Sequence, residues 1–142
     1  MQFALVQAEL AAEAGEVPIG AVIIKDNEII ASAHNLTEKN NDPTAHAELL
    51  AIRQACELLR TARLVDCDLY VTLEPCSMCA QAIAFARVRR LYYGASDPKG
   101  GGVESGARIF SQTTCHHRPE IYGGISESEC GELLRKFFKE RR

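Results

Sequence analysis

Positive charge is in short supply in this sequence: Lys and Arg number 16 against 19 Asp and Glu, for a net charge of −3. That balance excludes attraction of nucleic acid by a global field and leaves any such binding to local basic patches. Four stand out: Arg87/Arg89/Arg90, Lys99, Arg118, and the tail RKFFKERR from Arg135 to Arg142. A basic leader and a long apolar run are also missing. The opening stretch MQFALVQAELAAEAGE is interrupted by Gln2, Gln7, Glu9 and Glu13, which excludes a signal peptide or membrane span and predicts a cytoplasmic protein. Repeats, low-complexity tracts and linkers are absent, so 142 residues with 46% hydrophobic content predict one globular domain spanning 1–142. The order of residues in the loop SDPKGGGVES excludes a phosphate-binding P-loop, because Lys99 precedes its glycines; a mobile turn is expected there.

What the sequence does have is regular patterning. Phe3, Val6 and Leu10 have helical spacing, and Gly15 and Pro18 end that helix. IGAVII and EIIASAH form a hairpin across Lys25-Asp26-Asn27. Asp42-Pro43-Thr44 offers an N-cap to a second helix reaching about Arg60, with Leu49, Ile52, Cys56 and Leu59 as its buried stripe. DLYVTL, a helix opened by Pro75 and running to about Ala86, and RLYYGA make a parallel strand–helix–strand unit. EIYGGI suits a short edge strand, and Cys130, Leu133, Leu134, Phe137 and Phe138 fit a last helix. The sum is a three-layer α/β/α fold: a mixed sheet of about five strands, the first pair antiparallel, with helices on both faces.

Six cysteines in a reducing compartment point to thiols or metal ligands before disulfides. Cys76 and Cys79, three apart in the first turn of the third helix, share a face, and the helix N-terminus favours their thiolates. Alone, the pair suits zinc, iron–sulfur or redox chemistry. His46 and Glu48, in the first turn of the second helix, sharpen the choice. His46 with the two cysteines makes a donor set suited to zinc, and three protein ligands leave one position open for water. Residues two apart on a helix diverge by about 200°, so Glu48 would reach the water and not the metal, which is the place of a general acid/base. The competing reading completes a closed four-ligand site with Cys56, Cys67, Cys115 or Cys130, which otherwise suit buried small hydrophobes.

His46-Ala47-Glu48 and Pro75-Cys76-Ser77-Met78-Cys79 resemble the zinc deaminases of the cytidine deaminase superfamily. The stretches EVPIGAVI, His34-Asn35, DPTAHAE, LYVTLEPCSMC, GASDPKGG and FFKERR extend the resemblance along nearly the whole chain to the bacterial tRNA-specific adenosine deaminases. The resemblance implies a cytidine-deaminase-like fold, one Zn²⁺ per subunit on His46, Cys76 and Cys79, and hydrolysis of adenosine to inosine at the wobble position of a tRNA anticodon. Zinc-activated water is the nucleophile and Glu48 shuttles the proton. It also implies a homodimer binding an anticodon stem-loop, with substrate contacts from Asn35, from the backbone around Ala47 and Pro75, and from Phe138 and Arg142. Asn35 equally suits a strand-end turn, whereas Phe138, on the apolar stripe of its helix, suits the core better than an RNA contact, and Arg142 a solvated terminal charge. His116 stands where relatives commonly carry Asn; it could donate a similar hydrogen bond, sensitive to pH near neutrality. The same motifs are compatible with deamination of a free nucleobase, nucleoside or nucleotide of the cytosine or guanine type. A non-catalytic RNA-binding module stapled by zinc is a third reading, against which Glu48 stands.

Overall fold

A computed structural model describes residues 1–141. Its elements follow in the order α1 (Gln2–Glu13), β1 (Gly20–Lys25), β2 (Glu28–His34), α2 (Ala47–Leu59), β3 (Asp68–Leu73), α3 (Ser77–Phe85), β4 (Arg90–Ala95), a 3₁₀ turn (Ile109–Ser111), β5 (Glu120–Tyr122) and α4 (Glu127–Glu140). The sheet order is β2-β1-β3-β4-β5. The pairs β2·β1 and β1·β3 are antiparallel, and β3·β4 and β4·β5 are parallel. The expected mixed sheet, first hairpin and edge strand are therefore present. Asp26 and Asn27 both take positive φ, 51° and 62°, the pattern of a two-residue type I′ turn matched to the strand twist.

Helices α2 and α3 pack on one face of the sheet and α1 and α4 on the other. Between the sheet and the α2/α3 layer lies the main core, with Ala21, Ile23, Leu69, Val71 and Leu91 from the strands against Ala51, Ala55, Ala80 and Ile83. The stripe of α2 is smaller than its leucines predict. Ala47, Ala51 and Ala55 bury completely while Leu49, Cys56 and Leu59 are half-buried, because alanine lets the helix lie closer to the strands than a branched side chain would. A similar correction applies to α1. Its buried face is Ala4, Leu5, Ala8 and Ala11, whereas Phe3, Val6 and Leu10 are exposed. Gly20 explains the close approach: a Cβ there would sit 2.0 Å from the Ala4 carbonyl oxygen.

The topology determines where the helices begin. Strand β1 is antiparallel to both of its neighbours, so β2 and β3 run in the same direction on either side of it. The helices that follow them, α2 and α3, accordingly start at the same end of the sheet and on the same face, where they meet. The helix starts themselves lie later than the sequence pattern suggests. The Asp42 carboxylate accepts hydrogen bonds from the Thr44 amide and hydroxyl at 2.8 and 2.7 Å; it closes an Asx turn, and the helix proper starts at Ala47. His46 and Cys76 are N-cap residues with extended backbone, at φ −78°, ψ 149° and φ −70°, ψ 174°, where a first-turn place was expected for both.

Candidate metal and catalytic site

The two N-caps face each other. The Nδ1 atom of His46 lies 3.7 Å from the Cys76 sulfur and 3.6 Å from the Cys79 sulfur, and the three donor atoms lie within 4.8 Å of one another. Among the described residues no fourth histidine, cysteine or carboxylate joins the set. Cys67 and Cys130 are buried elsewhere, and Cys56 and Cys115 are half-buried. A tetrahedral zinc with bonds of about 2.3 Å to sulfur and about 2.0 to 2.1 Å to nitrogen has nitrogen–sulfur edges of about 3.6 Å. One nitrogen and two sulfurs at 3.6 and 3.7 Å fit that figure, and the group could hold a metal ion.

The electrostatics agree with the ligand chemistry. A hydrogen bond from the Cys79 thiol, with help from His46 against the cost of burial, draws Cys76 down to about 4, the direction that favours the thiolate a metal needs. The same hydrogen bond and burial hold Cys79 well above the usual thiol range. The Cys76 sulfur in turn holds His46 above the usual imidazole value, against burial.

Glu48, on the first turn of α2, is buried. Burial, reinforced by the charge on Cys76, pushes its carboxyl up to about 7, the range in which a group both takes and gives a proton near neutrality. Asn35, at the end of β2, is buried, and its Oδ1 accepts the Ala47 amide hydrogen at 2.9 Å. It thus satisfies one of the unpaired donors at the start of α2, a bond that leaves its own two N–H donors uncommitted. Pro75 is buried at the end of β3, and its carbonyl accepts the Gly102 amide.

Phe138 corrects its core reading: it is 47% exposed, and Phe137, one residue earlier, takes the buried position on α4. Phe138 lines a cleft of about 1040 Å³ with Leu73, Asp97, Lys99, Arg135, Lys139 and Arg141, between α4 and the strand end that leads to Cys76. Arg142 lies outside the described residues. His116 is exposed, while its neighbour His117 donates from Nε2 to the Val88 carbonyl at 2.7 Å and fixes the segment.

Glu74 was missed by the sequence pattern, although it immediately precedes Pro75-Cys76. It is 2% exposed and accepts hydrogen bonds from the Asp97, Val103, Glu104 and Ser105 amides and from the Ser105 hydroxyl. Only the adjacency to Cys76 could have flagged it, since an acidic residue at a strand end reads as solvated. Its bonds hold the 97–105 loop, expected as a mobile turn, against the sheet end.

Comparison with known proteins places this geometry in context. The family model described as MafB19-like deaminase matches residues 1–142. A curated relative from Agrobacterium fabrum, a tRNA-specific adenosine deaminase, is 62% identical over 142 residues, covering 100% of this chain and 93% of that protein. A solved structure from a study of A-to-I editing by tRNA:A34 deaminases at the wobble position of transfer RNA is 62% identical. It covers 94% of this chain and 97% of its own, with a TM-score of 0.93. The guanine deaminase of Bacillus subtilis is 46% identical over 67% of this chain and 61% of its own, with a TM-score of 0.64.

Proposed function

From the premise that the chain belongs to the MafB19-like deaminase family, we propose that it is a tRNA adenosine deaminase, hydrolysing adenosine to inosine at the wobble position of an anticodon. The observation that carries this reading is the His46–Cys76–Cys79 set at zinc-like spacing with a buried carboxyl at its side, in a chain 62% identical over its whole length to a tRNA-specific adenosine deaminase. His46, Cys76 and Cys79 would hold one Zn²⁺ per subunit. With three protein ligands, a bound zinc would keep one position open and would acidify water there.

Everything else in the reaction falls to the chain. Glu48 takes a proton from the attacking water and delivers it to the exocyclic nitrogen, which leaves as ammonia. Asn35, tied to Ala47 through its oxygen, turns its N–H donors to the base, and the backbone at Ala47 and Pro75 lines the pocket. The base must be unstacked to enter, which costs least in a loop. Lys99, Arg135, Lys139 and Arg141 around the exposed Phe138 give a cleft suited to phosphates with an aromatic face for a base. Arg142 and His116 join the RNA contacts in this reading.

The chain works as a single deaminase domain and as a homodimer, through the exposed side of α3. Phe85 there is 72% and Met78 36% exposed, an apolar surface beside the site. A cytoplasmic location belongs to the same reading; no helix among the described residues is long and apolar enough to cross a membrane.

The test compares an anticodon stem-loop bearing a wobble adenosine with free adenosine, cytidine and guanine, reading product by mass. Inosine forms in the stem-loop alone; conversion of guanine or a free nucleoside without the stem-loop would transfer the chain to the free-base class. Glu48→Ala keeps its zinc by metal analysis and loses roughly 10²- to 10⁴-fold in turnover, the usual share of a general acid/base; unchanged turnover removes Glu48 from the mechanism.

A further inference from the structure

Glu74 is a fully buried carboxylate that the chemistry above does not use. Its Oε2 accepts three successive amides, Val103, Glu104 and Ser105, at 3.2, 3.0 and 2.9 Å. Its Oε1 accepts the Asp97 amide and the Ser105 hydroxyl, both at 3.0 Å. Both ends of the loop thereby converge on one side chain two residues before a metal-site cysteine. Between those ends the loop touches the cysteine turn directly. Gly101 pairs with Cys76 as an isolated antiparallel bridge, and the Gly102 amide donates to the Pro75 carbonyl at 2.8 Å. The contact is too close for any side chain: a Cβ on Gly102 would lie 2.6 Å from the Ser77 nitrogen, and one on Gly101 would lie 2.5 Å from the Glu74 carboxyl carbon. The Asp97–Lys99 end of the same loop lines the basic cleft.

We propose that Glu74 is a positioning residue: by clamping the 97–105 loop onto the Pro75–Ser77 turn, its carboxylate fixes the Cys76 sulfur within the donor set and, from the same anchor, the Asp97–Lys99 wall of the cleft. The inference rests on the metal-site reading given above. Its physical basis is that groups outside the ligand shell set ligand orientation and so metal retention. A glutamine cannot replace the carboxylate, because it would turn an NH₂ group toward amides that are themselves donors.

The experiment measures removal of Zn²⁺ by excess chelator from the full chain, together with the absorption spectrum of the Co²⁺-substituted protein. Glu74→Gln loses zinc about 10- to 100-fold faster than the parent, with altered cobalt bands showing a distorted donor set. The KM for the stem-loop rises through the displaced cleft wall. Gly102→Ala, which leaves the carboxylate intact and forces the loop off Ser77, loosens the metal in the same way and decides the matter should Glu74→Gln not fold. Asp68→Asn is the control: Asp68 is a carboxylate on the same strand, its side chain 13% exposed and bound by the Arg89 guanidinium at 2.9 and 3.0 Å, at the end of β3 away from the cysteine turn. Its zinc loss stays at the parent rate. Parent-like zinc loss and cobalt spectra in Glu74→Gln or Gly102→Ala overturn the proposal, as does equal acceleration in Asp68→Asn. A parent chain that takes up neither metal defeats the metal site itself, a separate result.

Discussion

At the scale of single residues, the partners of the buried polar groups say what each substitution costs. Burial raises the Glu16 carboxyl, but the Lys39 and Glu38 amides and the Thr37 hydroxyl outweigh it and hold the group below its usual value. A depressed folded-state value stabilises the fold above the ordinary carboxylate range, and this contribution disappears as pH falls through the depressed value. Glu16→Gln should therefore cost about 1 to 2 kcal/mol at pH 7, the gap closing progressively below about pH 4.5, as read from urea melts of metal-free protein under reductant. Asn35 separates its two functions by atom. Asn35→Asp keeps the oxygen that accepts the Ala47 amide and loses the N–H donors. Its melting temperature should stay close to the parent's while stem-loop deamination falls roughly tenfold, the worth of about one hydrogen bond. Asn35→Ala should lose both, with about 1 kcal/mol of stability. Equal activity in Asn35→Asp and the parent would leave Asn35 a cap and nothing more.

At the scale of elements, strands were the most legible feature and helix starts the least. DLYVTL and RLYYGA coincide with β3 and β4 because a run of β-formers bounded by charges has few other solutions. The starts of α2 and α3 were read early, since Asp42 and Pro75 are good openers on local propensity; each instead serves a turn leading into a ligand-bearing cap. The metal donors and Glu48 were legible from side-chain chemistry at short spacing. Glu74 was not, because its partners lie 23 to 31 residues ahead and only the fold brings them together. The exposed side of α3 makes an element-level prediction. Phe85→Asp, at 72% exposure, removes no core contact, and if the proposed dimer forms through this surface it should become monomeric in light scattering at unchanged melting temperature. A parent that is itself monomeric at micromolar concentration would show that this surface joins no second copy.

For the whole molecule, the proposed RNA binding asks an acidic chain to hold a polyanion, and the localised basic cleft is the place assigned to it. Arg135, Lys139 and Arg141 come from the end of α4, and Lys99 from the loop across the cleft. Their attraction acts against a net charge of −3, so affinity should depend steeply on salt. Removing Lys99 and Lys139 together by alanine should reduce the slope of log affinity against log salt by about 0.7 per residue, the single-strand value. Fluorescence anisotropy of a labelled stem-loop across a KCl series measures it, and an unchanged slope would move the RNA to another face.

The order of the site along the chain has a consequence for synthesis. All three metal donors and Glu48 lie between positions 46 and 79, and the loop that steadies Cys76 ends at Ser105, whereas the cleft waits for α4, which begins at Glu127. A ribosome therefore delivers the candidate metal donors before the basic cleft is complete. During that interval the nascent protein carries the candidate ion ligands without the cleft we assign to RNA.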